Sequence, residues 1–197
     1  MFGAKSLNLS LFILLVLSGF EAHATSPVVG GAFDLNGLVS VTDGLATVEG
    51  DWLVHVERFV TDEDVDYSRP DLMVRNPTNI AGYEFAKDQT VSPQGYVTLS
   101  LELRLPKTTP SNQWVMQLPR SYSASRWIAH GYDSTGTRVG DSIVELGHVS
   151  SKPENIKASR GTDYLFLPSA ERVILSVQVA NRYSGNLGLE RLPVVGG

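Results

Sequence analysis

The sequence contains no cysteine among its 197 residues. This absence excludes disulfides, thiolate metal sites and a lipidated cysteine anchor, so the folded chain must rest on its hydrophobic core. After Phe20 the chain also lacks any apolar run near the length of about twenty residues that a membrane-spanning helix needs. Its 16 basic residues, against 21 acidic ones, form no cluster, which disfavours nucleic acid and anionic membrane surfaces as partners.

Residues 1–24 have the pattern of a secretory signal peptide. Lys5 precedes a short apolar run at residues 9–20, and Ala22-His23-Ala24 has the small-x-small form that signal peptidase recognises. The run holds about twelve residues, too few to cross a bilayer as a helix. We therefore expect cleavage after Ala24 and a periplasmic or secreted mature chain. The alternative is an uncleaved N-terminal anchor.

Apolar and polar residues alternate in several segments, as they do in half-buried β-strands. In residues 96–106 every second residue is valine or leucine, and we expect the intervening Thr98, Ser100, Glu102 and Arg104 on a wet face. The same alternation predicts further strands, with turn signals between them, at residues 46–59, 114–118, 126–130, 137–140, 143–146 and 172–180. No segment has a convincing amphipathic helical pattern. The sequence therefore predicts one all-β sandwich domain over residues 25–197.

The three tryptophans have different expected environments. Trp52 and Trp127 alternate with other residues inside predicted strands, so we expect both in the core, where large aromatic side chains contribute much of the buried area. Trp114 stands at a strand start and could be exposed.

The candidate ligand site combines a polar corner with the turn near the end of the chain. Two short strands in residues 114–131 are joined by a corner rich in hydroxyls, which therefore lies at a sheet end. Sugars are recognised by planar donors and acceptors together with an aromatic face. Six residues supply both features: Arg120, Ser121, Tyr122, Asn181, Arg182 and Tyr183. The alternative is structural, with Tyr122 packed under the corner and its hydroxyl bonded to backbone.

Other chemistries have weaker support in the sequence. The acidic loop of Asp62, Asp64 and Asp66 has the first spacing of a calcium site, but Tyr67 replaces the required glycine and Met73 the bidentate glutamate. The histidines at positions 55, 130 and 148 do not pair at ligand spacing, and no Gly-x-Ser-x-Gly elbow is present. Some pair among four carboxylates could still serve glycoside hydrolysis: Glu84, Glu102, Asp141 and Glu145. No feature of the sequence identifies such a pair. We therefore expect no enzymatic activity, no metal and no cofactor.

Four segments resemble a known family in order and spacing: VEGDWLVHVERF, GYVTLSLELRLP, MQLPRSYSASRWIAHG and VILSVQVANRYSGNLGLERLPVVG. They are similar to the extracellular sensor domain of bacterial seven-transmembrane receptors with diverse intracellular signalling modules. The resemblance covers most of residues 48–197. It implies a jelly-roll, galactose-binding-like antiparallel β-sandwich that binds small extracellular ligands such as carbohydrates. The loops after the corner and in the closing turn differ from the family pattern, so the ligand does not carry over.

The sequence thus leads to a functional hypothesis with one main alternative. The hypothesis is a periplasmic sensory module that binds a carbohydrate or another small polar ligand and acts with an envelope signalling protein. The alternative is a structural or protein-interaction β-sandwich in the cell envelope, without catalytic activity.

Overall fold

The computed structural model describes residues 30–36, 45–61, 69–106 and 113–196. The predicted signal peptide and the acidic loop of Asp62, Asp64 and Asp66 lie outside these ranges. Within them, no helix has the length and apolar composition needed to cross a membrane.

The described residues form short and long β-strands, and Pro153–Asn155 forms a 3-10 turn. The strands of the first half are β1 (Ala32–Asp34), β2 (Ala46–Thr47), β3 (Asp51–Val56), β4 (Leu72–Arg75), β5 (Glu84–Ala86), β6 (Gln89–Thr90) and β7 (Gly95–Arg104). Those of the second half are β8 (Val115–Leu118), β9 (Ala124–Tyr132), β10 (Arg138–His148), β11 (Lys157–Ala158), β12 (Asp163–Phe166), β13 (Arg172–Asn181) and β14 (Val194–Gly196).

These strands are arranged in two main sheets. The large sheet has the order β11-β10-β9-β13-β7-β3-β4, and β1 joins it in parallel beside the end of β7. The small sheet has the order β12-β8-β14-β2. All other neighbouring strands in both sheets are antiparallel, and β5 and β6 form a separate hairpin.

The inward faces of the two sheets share one hydrophobic cluster. Leu99 and Leu101 of β7 and Val177 of β13 belong to this cluster, together with Met116 and Val195 of the small sheet, and all five are fully buried. Burial of such side chains is the main favourable term in folding, at about 25 cal/mol per Å² of apolar surface. The predicted all-β antiparallel β-sandwich is confirmed.

The core contains the two tryptophans predicted for it. Trp52 and Trp127 are both buried in the shared cluster. Trp114, for which exposure was expected to be possible, is partly buried and packs against that cluster.

The prediction of a wet outer face on β7 is wrong for half of the strand. Thr98 and Ser100 are fully buried, whereas Arg104 is exposed. The chain after β3 covers Thr98, whose hydroxyl donates to the Arg58 carbonyl at 2.8 Å and accepts from the Val60 N–H at 3.1 Å. The alternation of residues within a strand carries no information about a loop that covers the strand but lies forty residues away in the sequence.

Two predicted strand boundaries are also wrong. The strands predicted at 137–140 and 143–146 are parts of a single long strand, β10, which begins at Arg138 and has an irregularity in register between Arg138 and Gly140. The predicted strand at 46–59 is divided at Gly50: β2 pairs within the small sheet and β3 within the large one. A divided strand lets the chain pass from one layer of the sandwich to the other.

Candidate functional site

The polar corner carries the chain from the small sheet to the large one. β8 ends at Leu118 and β9 begins at Ala124, and these strands belong to different sheets. The buried Ser121 hydroxyl accepts a hydrogen bond from the Ser123 N–H at 3.0 Å, which stabilises the bend. Tyr122, between them, has 55% of its side chain exposed. Tyr122 therefore does not pack beneath the corner, as the structural alternative expected, whereas Ser121 does have a structural role in the bend.

The closing turn after β13 is organised by Asn181, which is only 2% exposed. Its amide nitrogen lies within hydrogen-bonding distance of three backbone carbonyls, those of Pro93 at 2.7 Å, Ser184 at 2.8 Å and Asn186 at 3.0 Å. Its side-chain oxygen accepts from the Tyr183 and Ser184 N–H groups, each at 3.2 Å. The Asn181 side chain thus supplies hydrogen bonds to backbone groups beyond the end of the β-ladder. Because its polar atoms are used in this way, they are not available to a ligand.

A third segment, the loop before β5, packs against the closing turn. The Ile80 N–H donates to the Leu187 carbonyl at 2.8 Å, and the Leu189 N–H donates to the Pro77 carbonyl at 2.9 Å. Gly188 makes this approach possible: its φ is +136°, and a Cβ atom there would lie 2.6 Å from the Pro77 oxygen. The Asn79 amide also donates to the side-chain oxygen of Asn186 at 3.2 Å, which joins the two loops at the surface.

These three segments surround a depression of about 230 Å³, which we call the corner depression. Its lining is Thr78, Asn79, Ser121, Tyr122, Ser123, Ser184, Asn186, Gly188 and Glu190. Hydroxyls, amides and one carboxylate supply both donors and acceptors, and Tyr122 supplies an aromatic ring. The Arg160 guanidinium lies 5.7 Å from the centre of that ring. This combination suits a small polar ligand with many hydroxyl groups.

A second depression, of about 370 Å³, adjoins the first and shares Glu190 with it. It lies where β8 ends and where β12 and β14 begin. We call it the arginine depression, and its lining is Gln117, Leu118, Pro119, Arg120, Thr162, Glu190, Arg191, Leu192 and Val194. It combines an apolar floor with two guanidinium groups.

The structure divides the six predicted site residues into three groups. Ser121 and Tyr122 line the corner depression, and Arg120 lines the arginine depression. The closing turn reaches the corner as predicted, but through Ser184 and Asn186. Asn181, Arg182 and Tyr183 line neither depression: Asn181 holds the turn, while Arg182 lies over the ring of Tyr183, which is 74% exposed.

Several residues of the two depressions carry no recognisable signal in the sequence. Asn79 sits in a loop whose Asn-Pro pair signals only a turn, and Glu190 and Arg191 follow the closing turn without any motif. Their arrival at the corner depends on pairing between residues more than one hundred positions apart, such as Asn79 with Asn186. A local pattern carries no signal for that pairing.

Three of the four carboxylates considered for hydrolysis are held in ion pairs. Glu102 lies 2.9 Å from Arg104, and Glu145 lies 3.1 Å from Arg126. Asp141 Oδ1 lies 2.7 Å from both Arg138 Nε and His130 Nδ1. Within the described ranges, no group of three or more metal-ligating side chains converges.

A third depression, of about 570 Å³, lies beside the β9–β10 turn. Glu102, Arg104 and Arg172 line it, and both arginines contact Glu102, Arg172 at 3.5 Å. Because both of its arginines already contact Glu102, it is a weaker candidate for ligand binding than the depressions at the corner.

No protein-family model matches this chain. No curated protein matches it by sequence either. Among solved structures, the chain is similar to a Faecalibacterium prausnitzii beta-glucuronidase, with 14% identity and a TM-score of 0.46, over 77% of this chain and 31% of that one. It is also similar to a structure described for promiscuous carbohydrate-binding modules of the β-sandwich superfamily, with 13% identity and a TM-score of 0.27, over 52% of this chain and 41% of that one.

The chain spans less than half the length of either of these two structures. At such identities and TM-scores they do not inform the function of this chain, and its fold is established by its own sheets and core. The comparisons do not support assignment to the seven-transmembrane receptor sensor domains. What stands is the coarser description, an antiparallel β-sandwich.

Replacing Asn181 with alanine should destabilise the closing turn. The substitution leaves buried backbone carbonyls without donors, which costs about 1–3 kcal/mol of unfolding free energy. Urea denaturation measures this loss. The matched control is Arg182→Ala, which removes only an exposed stacking contact and should stay within about 0.5 kcal/mol of the wild type. Equal stability of Asn181→Ala and wild type would show that the turn does not depend on this amide.

Replacing Asp141 with asparagine should change stability in a pH-dependent way. The hydrogen bond from Arg138, and then the contact with His130, lower the pKa of Asp141 below its ordinary 3.8. A lowered pKa means that the stabilisation is present above pH 3.8 and is lost as the pH falls through the folded-state value. We expect the variant to lose about 0.5–1 kcal/mol at pH 7, the range for partly exposed ion pairs.

Urea denaturation at pH 7 and at pH 3 tests this direction of the pH dependence. The difference between wild type and Asp141→Asn should shrink at the lower pH. Glu84→Gln is the control, because Glu84 is exposed and has no ion pair with any residue in the described part of the chain. A difference that grows at pH 3 would contradict the assigned ion pair.

Proposed function

We propose that this protein is an exported carbohydrate-binding β-sandwich that acts as a sensory module of the cell envelope. The corner depression is the observation that carries the carbohydrate proposal. The depression has a volume of about 230 Å³, and its lining includes serine and threonine hydroxyls, two asparagine amides, the Glu190 carboxylate and the Tyr122 ring. Sugar hydroxyls both donate and accept hydrogen bonds, and this lining supplies partners for both roles.

The size of the corner depression favours a small ligand. Its volume of about 230 Å³ is below the range of roughly 300–1,000 Å³ that is typical of sites for drug-sized molecules. A single sugar ring, with Tyr122 beside one face, fits this scale better than a large hydrophobic ligand does. The exposed Tyr122 side chain also offers its ring at little ordering cost, since tyrosine has only two side-chain torsions.

The export and sensory parts of the proposal rest on the sequence. The residues before Thr25 have the form of a cleavable signal peptide, which supports a periplasmic or secreted location. The resemblance to receptor sensor domains supports a role in signal transduction, with an envelope signalling protein as the partner that reads out ligand binding.

One observation favours the second candidate, a protein-interaction sandwich. β12 is an edge strand of the small sheet, and its Tyr164 and Phe166 are both exposed on the same face. Edge strands and exposed aromatic residues are common at protein contacts. If Tyr164→Ser/Phe166→Ser abolished capture of an envelope protein by a variant that still bound sugars, the β12 edge would be the partner interface.

Replacing Tyr122 with alanine should weaken sugar binding by about tenfold, because loss of one aromatic contact is worth about 1–1.5 kcal/mol. A thermal-shift screen of neutral mono- and disaccharides with the mature protein identifies the sugar, since a ligand at a hundred times its Kd stabilises the fold by about 2.7 kcal/mol. Calorimetric titration then gives the Kd of wild type and variant.

The matched control is Tyr83→Ala, which removes another exposed tyrosine, 45% exposed, that lines neither depression at the corner. Its Kd should equal that of the wild type. A screen in which no sugar raises the melting temperature would refute the carbohydrate proposal. Equal losses in the two variants would place the sugar somewhere other than the corner depression.

A further inference from the structure

Arg120 and Arg191 differ from most arginines of the large sheet. Arg104, Arg126 and Arg138 each lie beside a carboxylate at 2.7–3.1 Å. Arg120 and Arg191 are exposed, line the same depression and form no ion pair with any residue that the structure describes. Two guanidinium groups of one depression are thus available to an external anion.

We propose that the arginine depression binds the carboxylate of an acidic sugar residue, a uronate, that continues a saccharide held at the corner depression. The inference rests on the proposed carbohydrate function and adds the class of sugar. The two depressions share Glu190, and the chain passes directly from Arg120 in one to Ser121 in the other. A saccharide bound across the corner therefore places neighbouring rings in the two sites.

The charge of the depression favours a singly charged anion. Arg120, Arg191 and Glu190 together carry a formal charge of +1, which matches one carboxylate and would be exceeded by a phosphate dianion or a polyanion. Guanidinium groups are planar donors that match carboxylate geometry, often with two hydrogen bonds each.

The remaining lining of the depression suits a sugar ring rather than a simple acid. Leu192 and Val194, both partly exposed, provide apolar surface on which the C–H face of a ring can lie. The Thr162 hydroxyl adds a group that can donate to or accept from a ring hydroxyl.

Recognition of the acid must be local, because the whole chain has a formal charge of −5. At 0.1 M salt, charges are screened beyond about 10 Å, so the two arginines dominate the field inside their own depression. The negative net charge does, however, remove long-range attraction of acidic saccharides. We therefore expect the preference for an acid to appear in equilibrium affinity.

The test compares an oligouronate with its carboxyl-reduced counterpart, which has the same rings and linkages but no charge. Calorimetric titration of the mature wild-type protein should give about tenfold tighter binding of the oligouronate, the value of roughly one charge-assisted hydrogen bond. In Arg120→Gln/Arg191→Gln, the two saccharides should bind equally, at the affinity of the reduced one. Arg75→Gln removes an exposed arginine that lines neither depression and should keep the preference.

The outcomes separate the two proposals. If both saccharides bind equally to the wild type, or if the preference survives in the double variant, the uronate site is refuted while carbohydrate binding stands. If neither saccharide binds, and no neutral sugar does, both proposals fail. A melting temperature of the double variant close to that of the wild type confirms that the comparison uses folded protein.

Glu190 provides an independent test of whether the group bound beside Arg120 and Arg191 is negatively charged. Glu190 lines both depressions, so Glu190→Gln removes a like charge from the acid site and replaces one acceptor oxygen with a donor at the corner site. We expect the ratio of oligouronate to reduced-saccharide affinity to rise above the wild-type ratio. A fall in that ratio would contradict a carboxylate bound beside Arg120 and Arg191.

Discussion

The structure depends on the burial of two sheet faces in one apolar cluster. The chain has no cysteine, so no disulfide supports this packing. Leucine and valine side chains of β7 and β13 on one side meet Met116 and Val195 on the other. Because β8 and β9 follow one another in the chain but lie in different sheets, a tight corner at the end of the sandwich is a necessary consequence of this core.

The candidate site is built by satisfying the polar groups that this architecture leaves at the sandwich end. Asn181 bonds the backbone of the closing turn, and Gly188 lets the loop at Pro77 approach it closely. These contacts leave the side chains of Asn79, Asn186 and their neighbours around Tyr122. A backbone held by these hydrogen bonds, lined by hydroxyls, amides and one ring, is an arrangement suited to sugars, and the adjoining guanidinium groups extend it toward an acidic one.

Much of the sandwich could be predicted from the sequence, because alternation along a strand is a local consequence of one buried face. The leucines of β7 and the buried Trp52 and Trp127 are examples. The cover over Thr98 could not be predicted in this way, since it comes from Arg58 and Val60 in a distant loop.

Prediction of the candidate site from the sequence was limited in the same way, by contacts between distant segments. Arg120, Ser121 and Tyr122 were found because they are adjacent in one corner, and the structure places each of them in a depression. Glu190 and Arg191 were missed because contacts between distant segments bring them there, namely the pairing of β14 with β8 and the packing of the closing turn against the loop before β5. From the sequence, the amide of Asn181 was expected to bind a ligand. In the structure it forms hydrogen bonds with the backbone of the closing turn.

The central claim is that three segments distant in sequence form one saccharide site at the corner. The most direct measurement is the change of backbone amide NMR shifts when a saturating oligosaccharide is added to the mature protein. Residues 78–79, 121–123 and 184–190 should shift together, with a single Kd. Shifts confined to residues 133–136 and 171–172, or separate Kd values for the three segments, would contradict it.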